Sequence, residues 1–153
     1  MKKILFVFTI VLLTLNSFGQ EGANNAMSGT TLTNAVANAS DSTRALTGNY
    51  IVTLEATFTQ ASGTTAGKAY LSGSVNGGTS KWARVTYTEG ETIFHASDSS
   101  KVARQGSEFT LADALHISVT VKSSPYRYYK WSYAPSGTQS TTVEERYTFK
   151  TIK

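Results

Sequence analysis

The stretch 50–58, YIVTLEATF, governs how the rest of the chain is read. Tyr50, Val52, Leu54, Ala56 and Phe58 alternate with Ile51, Thr53, Glu55 and Thr57. Side chains of a strand point in turn to its two faces, so one parity predicts a core and the other predicts water. The same rhythm returns at 115–122, LHISVTVK, where Leu115, Ile117, Val119 and Val121 alternate with His116, Ser118, Thr120 and Lys122. Between them lies KAYLSGSV (68–75), with Ala69, Leu71, Gly73 and Val75 inward unless Tyr70 takes the buried side. Asn76-Gly77-Gly78 is a hairpin signal leading into KWARVTYT, and Glu89-Gly90-Glu91 is a further tight turn before TIFHA. A brief strand around Val102, an apolar patch at Phe109 and Leu111, and a closing TTVEERYTFKTI complete the series. Short strands at regular spacing predict an all-β fold: a single antiparallel β-sandwich of 7–8 strands, immunoglobulin-like or jelly-roll-like, over residues 49–153.

Upstream of that domain the composition changes twice. MKKILFVFTIVLLTLNSFGQ carries Lys2 and Lys3, then an apolar run from Ile4 to Leu15, then Ser17-Phe18-Gly19 with small residues at −3 and −1. Residues 1–19 therefore read as a secretory signal peptide, cleaved between Gly19 and Gln20. Its apolar run is shorter than the ~20 residues of a membrane-spanning helix, so no span is expected after cleavage. Residues 20–48 are dominated by Ala, Asn, Ser, Thr and Gly and read as a flexible low-complexity arm. Within it, Leu32, Ala35, Val36 and Ala39 have the spacing of a short amphipathic helix, and Leu46 is placed to pack on the domain.

Charge and chemistry narrow the functional classes. Losing Lys2 and Lys3 reduces the formal charge from +4 to +2, which disfavours nucleic acid as a partner. The chain has no cysteine, which excludes thiol catalysis, thiolate metal sites and lipid attachment through cysteine. His95 and His116 are the two imidazoles, and neither sits in a recognisable triad or ligand spacing. Asp98 and its neighbouring serines lack the spacing of a calcium loop. Glu89 with Glu91, and Glu144 with Glu145, read as solvated turn and strand charges rather than an acid and base across a cleft. No catalytic residue, metal or cofactor is expected.

Between Tyr126 and Tyr133, five of eight residues are aromatic. Alternation splits them: Tyr129, Trp131 and Tyr133 share one face and form a core stripe, while Tyr126, Tyr128 and Lys130 share the other. The candidate binding residues are Tyr126, Tyr128, Lys130, Trp82 and Arg127. Exposed tyrosines beside cations suit a protein interface or a sugar ring.

Two segments carry a resemblance. GKAYLSGSVNGGTSKW resembles the G-S-x-D/N-G hairpin and Trp-led strand of small β-sandwich modules, and PYRYYKWSYAPSGTQST resembles their late Tyr-Tyr-Arg/Lys strand with its Gly-Thr turn. Such modules occur in exported and phage-associated structural proteins of Bacteroidota and are distantly similar to discoidin-type sandwiches. This chain has Asn76 where the pattern usually has Asp, and an extra Gly78-Thr79-Ser80 before Trp82. The resemblance spans residues 67–150 and implies a structural, attachment or glycan-binding role without catalysis. The expectation is an exported structural or adhesion component of a cell-surface or virion assembly, working through protein partners or self-assembly. The alternative is a carbohydrate-binding module.

Overall fold

The computed structural model describes residues 25–27, 29–78, 81–86, 92–102, 108–122 and 124–152. The expected signal segment 1–19 and the Glu89-Gly90-Glu91 turn lie outside them. In chain order the strands are β1 (Asn25–Ala26), β2 (Thr30–Thr33), β3 (Asn38–Ala39), β4 (Tyr50–Gly63), β5 (Gly67–Ser74), β6 (Ala83–Arg84), β7 (Thr92–Ala96), β8 (Phe109–Thr110), β9 (His116–Lys122), β10 (Tyr128–Pro135) and β11 (Gln139–Thr151). They form two antiparallel sheets packed face to face, a single β-sandwich. The first runs β1-β11-β4-β9-β7, with β2 continuing β1 along the β11 edge. The second runs β3-β10-β5, and β6 and β8 share the far edge of β5.

The alternation read at 50–58 becomes the inner face of β4, where Tyr50, Val52, Leu54, Ala56 and Phe58 are all buried. β9 adds Ile117, Val119 and Val121 beside it, and Leu115 joins them from the turn before. Across the gap, β10 presents Tyr129, Trp131 and Tyr133, each at most 1% exposed. Phe58 meets the Tyr133 ring edge-on at 5.9 Å and Phe109 meets Trp131 at 6.1 Å, geometries that aromatic quadrupoles favour. Val75 departs from the expected parity. It is half exposed because β5 ends at Ser74 and the hairpin has already begun.

Two of the connections between the sheets pair with each other. Residues 64–66 join β4 to β5 and residues 136–138 join β10 to β11, and the two arches lie side by side. Thr64 donates its N–H to the Thr138 carbonyl (3.1 Å) and Ser136 donates to that of Ala66 (3.0 Å). Gln139 ties the pair further, its Nε2 donating to the carbonyls of Ala66 and Ser136. The approach requires glycine: a Cβ on Gly63 would sit 2.2 Å from the Thr138 carbonyl oxygen, and one on Gly67 2.4 Å from that of Ala134. Both also have positive φ, which L side chains resist.

Residues 25–27 and 29–46, expected to be part of a flexible arm, instead form a strap along one side of the sandwich. β1 and β2 extend the first sheet, and β3 extends the second. The helix expected around Leu32–Ala39 does not form. Leu32 is buried in β2 while Val36, at 62% exposed, sits in the crossing between sheets. The reason is that the open edges of β11 and β10 offer ladder partners to the strap's inward-facing amides, which outweighs weak local helix spacing. After β3 the strap keeps its bonds to β10 through side chains. Ser40 donates N–H to the Trp131 carbonyl and accepts Trp131 N–H on its hydroxyl (2.9 Å). Thr43 does the same with Tyr129, accepting its N–H at 3.1 Å, and Leu46 N–H reaches the Arg127 carbonyl. These hydroxyls stand where backbone carbonyls would stand in a regular ladder.

Thr43 is buried, so Thr43→Val keeps the shape and strands the Tyr129 amide. A loss of about 1–3 kcal/mol is expected. Urea denaturation should show it as a lower midpoint at unchanged slope.

Candidate functional site

The solvent face of the second sheet gathers several long side chains into one patch. Outward positions of β10 and β5 face each other in register: Tyr128 with Ser74, Lys130 with Ser72, Ser132 with Tyr70, and Ala134 with Lys68. Arg84 on β6 lies on the other side of Ser72, so Lys130, Ser72 and Arg84 form one row across three strands. Lys130 Nζ lies 4.4 Å from the centre of the Trp82 ring, and the Arg84 guanidinium 4.2 Å from that of Tyr70. Each contact is worth about 0.5–1 kcal/mol at an exposed site. Beneath them Ser72 and Ser132 share a hydrogen bond of 3.0 Å. Both serines are buried despite their outward parity. They are small, and long neighbours close over them. Glu108 sits at the margin, paired with Lys68 at 3.1 Å and Arg84 at 3.4 Å.

The hairpin after β5 and the start of β10 interlock at this patch. Ser74 Oγ accepts the Gly77 N–H at 3.1 Å and so closes the hairpin. Gly77, at positive φ, lies flat against the Tyr128 ring, where a Cβ would come within 3.0 Å. The Trp82 indole N–H donates to the Gly78 carbonyl at 3.0 Å, fixing the ring beside Lys130. Gly77 is therefore the seat of the Tyr128 ring, and the Gly78 carbonyl the anchor of Trp82.

Of the five expected binding residues, the structure brings Tyr128, Lys130 and Trp82 together here. Tyr126 departs from the outward parity expected of it and is half-buried. It turns inward against the core, edge-on to Tyr129 at 6.3 Å, and fills the space left by the missing side chain of Gly73. Its carbonyl accepts the Tyr50 hydroxyl. Proline at 125 bends the chain before β10 starts, so strand parity does not extend back to 126. Arg127 is exposed just before β10, its backbone bonded to Ser74 and Leu46. Tyr70, Arg84 and Glu108 were missed. The W-x-R spacing of Trp82 and Arg84 was the available signal, since it puts both on one face.

Elsewhere, the imidazoles occupy the outer face of the first sheet or its edge. His116 Nδ1 is 3.0 Å from the Thr57 hydroxyl and its Nε2 3.9 Å from Glu55. No group of three or more candidate metal ligands lies together among the described residues. Asp98 is engaged by the Ser100 amide and hydroxyl, which hold its carboxyl below the usual range.

Glu145 departs from expectation as well, because it is a core residue. It shares the inner parity of β11 with Val143 and Tyr147 and is 2% exposed. The Tyr133 hydroxyl, on the facing sheet, donates to its Oε1 at 2.5 Å, a polar bond spanning the sandwich. Oε2 meets no donor at hydrogen-bond geometry among the described residues. Burial holds its carboxyl up to about 7, against a weaker downward pull from Tyr133 and Thr30 and a further upward push from Asp41.

No protein-family model matches this chain, and neither the curated proteins nor the solved structures contain a match. Among the described residues no helix is long and apolar enough to cross a membrane.

The raised Glu145 carboxyl predicts a stability that falls with pH. Below about 4.5 the group is protonated folded and unfolded; between there and about 7 the fold retains a proton that the unfolded chain has released. Stability is therefore lost as pH rises through this window, by on the order of 3 kcal/mol. Denaturation midpoints from pH 4 to 8 should show that loss, and Glu145→Gln should flatten it.

Proposed function

We propose that this protein is an exported, non-catalytic β-sandwich that works as a structural or adhesion component of a surface assembly. Its contact surface is the outer face of the second sheet. The observation that carries the reading is the patch of Trp82, Tyr128 and Tyr70 with Lys130 and Arg84 laid on it. Aromatic and arginine side chains at a flat, ordered surface are what stable protein contacts use, because they bury much area with little further ordering. The rings are already held, Trp82 by Lys130 and Gly78, Tyr128 by Gly77. The signal-like residues 1–19 support export. Light scattering on chromatographed protein lacking residues 1–19 should give a mass above one copy, or a captured partner. Lys130→Glu, which reverses the charge without touching the core, should abolish that contact. A lone monomer that captures nothing would sink this reading.

A carbohydrate-binding role is the second reading, favoured by three rings sharing one sheet face beside cations. Sugar rings stack on such faces through their C–H edges. On a glycan array the protein should then give signals that Tyr128→Ala removes; a blank array, or signals indifferent to that change, ends this reading.

A further inference from the structure

The strap 25–46 forms the outermost strand of both sheets on one side of the sandwich. It is joined to the body through 47–49, an exposed turn in which Gly48 has positive φ and open space around it. We propose that the strap is exchangeable and takes the same place on a second copy of this chain, so that two copies are linked by a mutual swap of residues 25–46.

Three observations point to this. The strap is recognised mainly through main-chain geometry: β1 and β2 along β11, β3 along β10, then Ser40, Thr43 and Leu46 onto Trp131, Tyr129 and Arg127. A copy of the same segment satisfies every one of those groups equally, so exchange conserves the contacts and alters only the hinge. Its apolar anchoring is thin, with Met27, Leu32 and Leu46 as its buried hydrophobic side chains against polar Thr30, Ser40 and Thr43. Behind it, packing is imperfect: the Glu145 carboxyl is closed in with one oxygen that meets no hydrogen-bond donor among the described residues, while Met27 N–H holds the Glu145 carbonyl. Opening the strap lets water reach that carboxyl, which offsets part of the cost of release. The inference rests on the reading of the protein as a self-associating component and names the partner as another copy.

The absence of cysteine makes the test clean. Thr31 on the strap lies directly opposite Thr142 on β11, and both are exposed. Facing strand residues sit about 4.5–5.5 Å apart, within disulfide reach. The double variant Thr31→Cys/Thr142→Cys should close an internal disulfide, which certifies fold and register. The two single variants are then mixed, warmed to just below the unfolding midpoint, cooled and oxidised. A disulfide-linked dimer carrying one of each chain is expected, whereas Thr31→Cys with Lys122→Cys, on a distant strand, should give none. Failure of the first mixture to link while the double variant closes, or equal linking in both mixtures, overturns the exchange. Lys130→Glu leaves the strap untouched. Association insensitive to it, together with a positive cross-link, sinks the outer-face reading alone.

Discussion

Three rings on one parity of β10 set the terms for this molecule. Tyr129, Trp131 and Tyr133 fill the space between two sheets that pack about 10 Å apart, and nothing smaller on the facing strands would close that gap. Each ring buries roughly 150–250 Å², the largest single contributions to the apolar core. Placing them there buries the backbone of β10 as well, so its amides need partners on both sides. β5 supplies one side by a regular ladder. The strap supplies the other, partly with Ser40 and Thr43 hydroxyls in place of carbonyls. A composition that looks too polar to fold is thus what the free edge of an aromatic strand requires.

The same strand organises the surface. Because Tyr129 and Trp131 point inward, Tyr128 and Lys130 must point outward, onto the hairpin that follows β5. Gly73 makes room for Tyr126 on the inner side and Gly77 for Tyr128 on the outer side. Two segments more than forty residues apart in sequence are therefore one structural unit. A substitution at Gly77 sets a Cβ against the Tyr128 ring and so changes how the aromatic patch is presented.

Polar groups inside the sandwich are few but costly. Tyr133 and Glu145 bridge the sheets, and their bond fixes the relative position of β10 and β11 next to the arch that joins them. Burial raises both groups above their ordinary values, Tyr133 well above and Glu145 to about 7. A buried polar pair confers less stability than specificity: it has one good arrangement, and the half-satisfied carboxyl penalises every alternative.

The alternation at 50–58 and 115–122 determined the fold class by itself, because the side-chain period of a strand is a local property of the backbone. The split of the aromatic strand into an inner Tyr129-Trp131-Tyr133 and an outer Tyr128-Lys130 was equally readable, and so was the Gly-rich hairpin. What sequence could not supply was which strands are neighbours. The row Lys130–Ser72–Arg84, the inward turn of Tyr126 after Pro125, the burial of Glu145 against Tyr133 and the use of residues 25–46 as strands all depend on it. Those are pairings between distant segments, fixed by edges and gaps that exist only once the two sheets have come together.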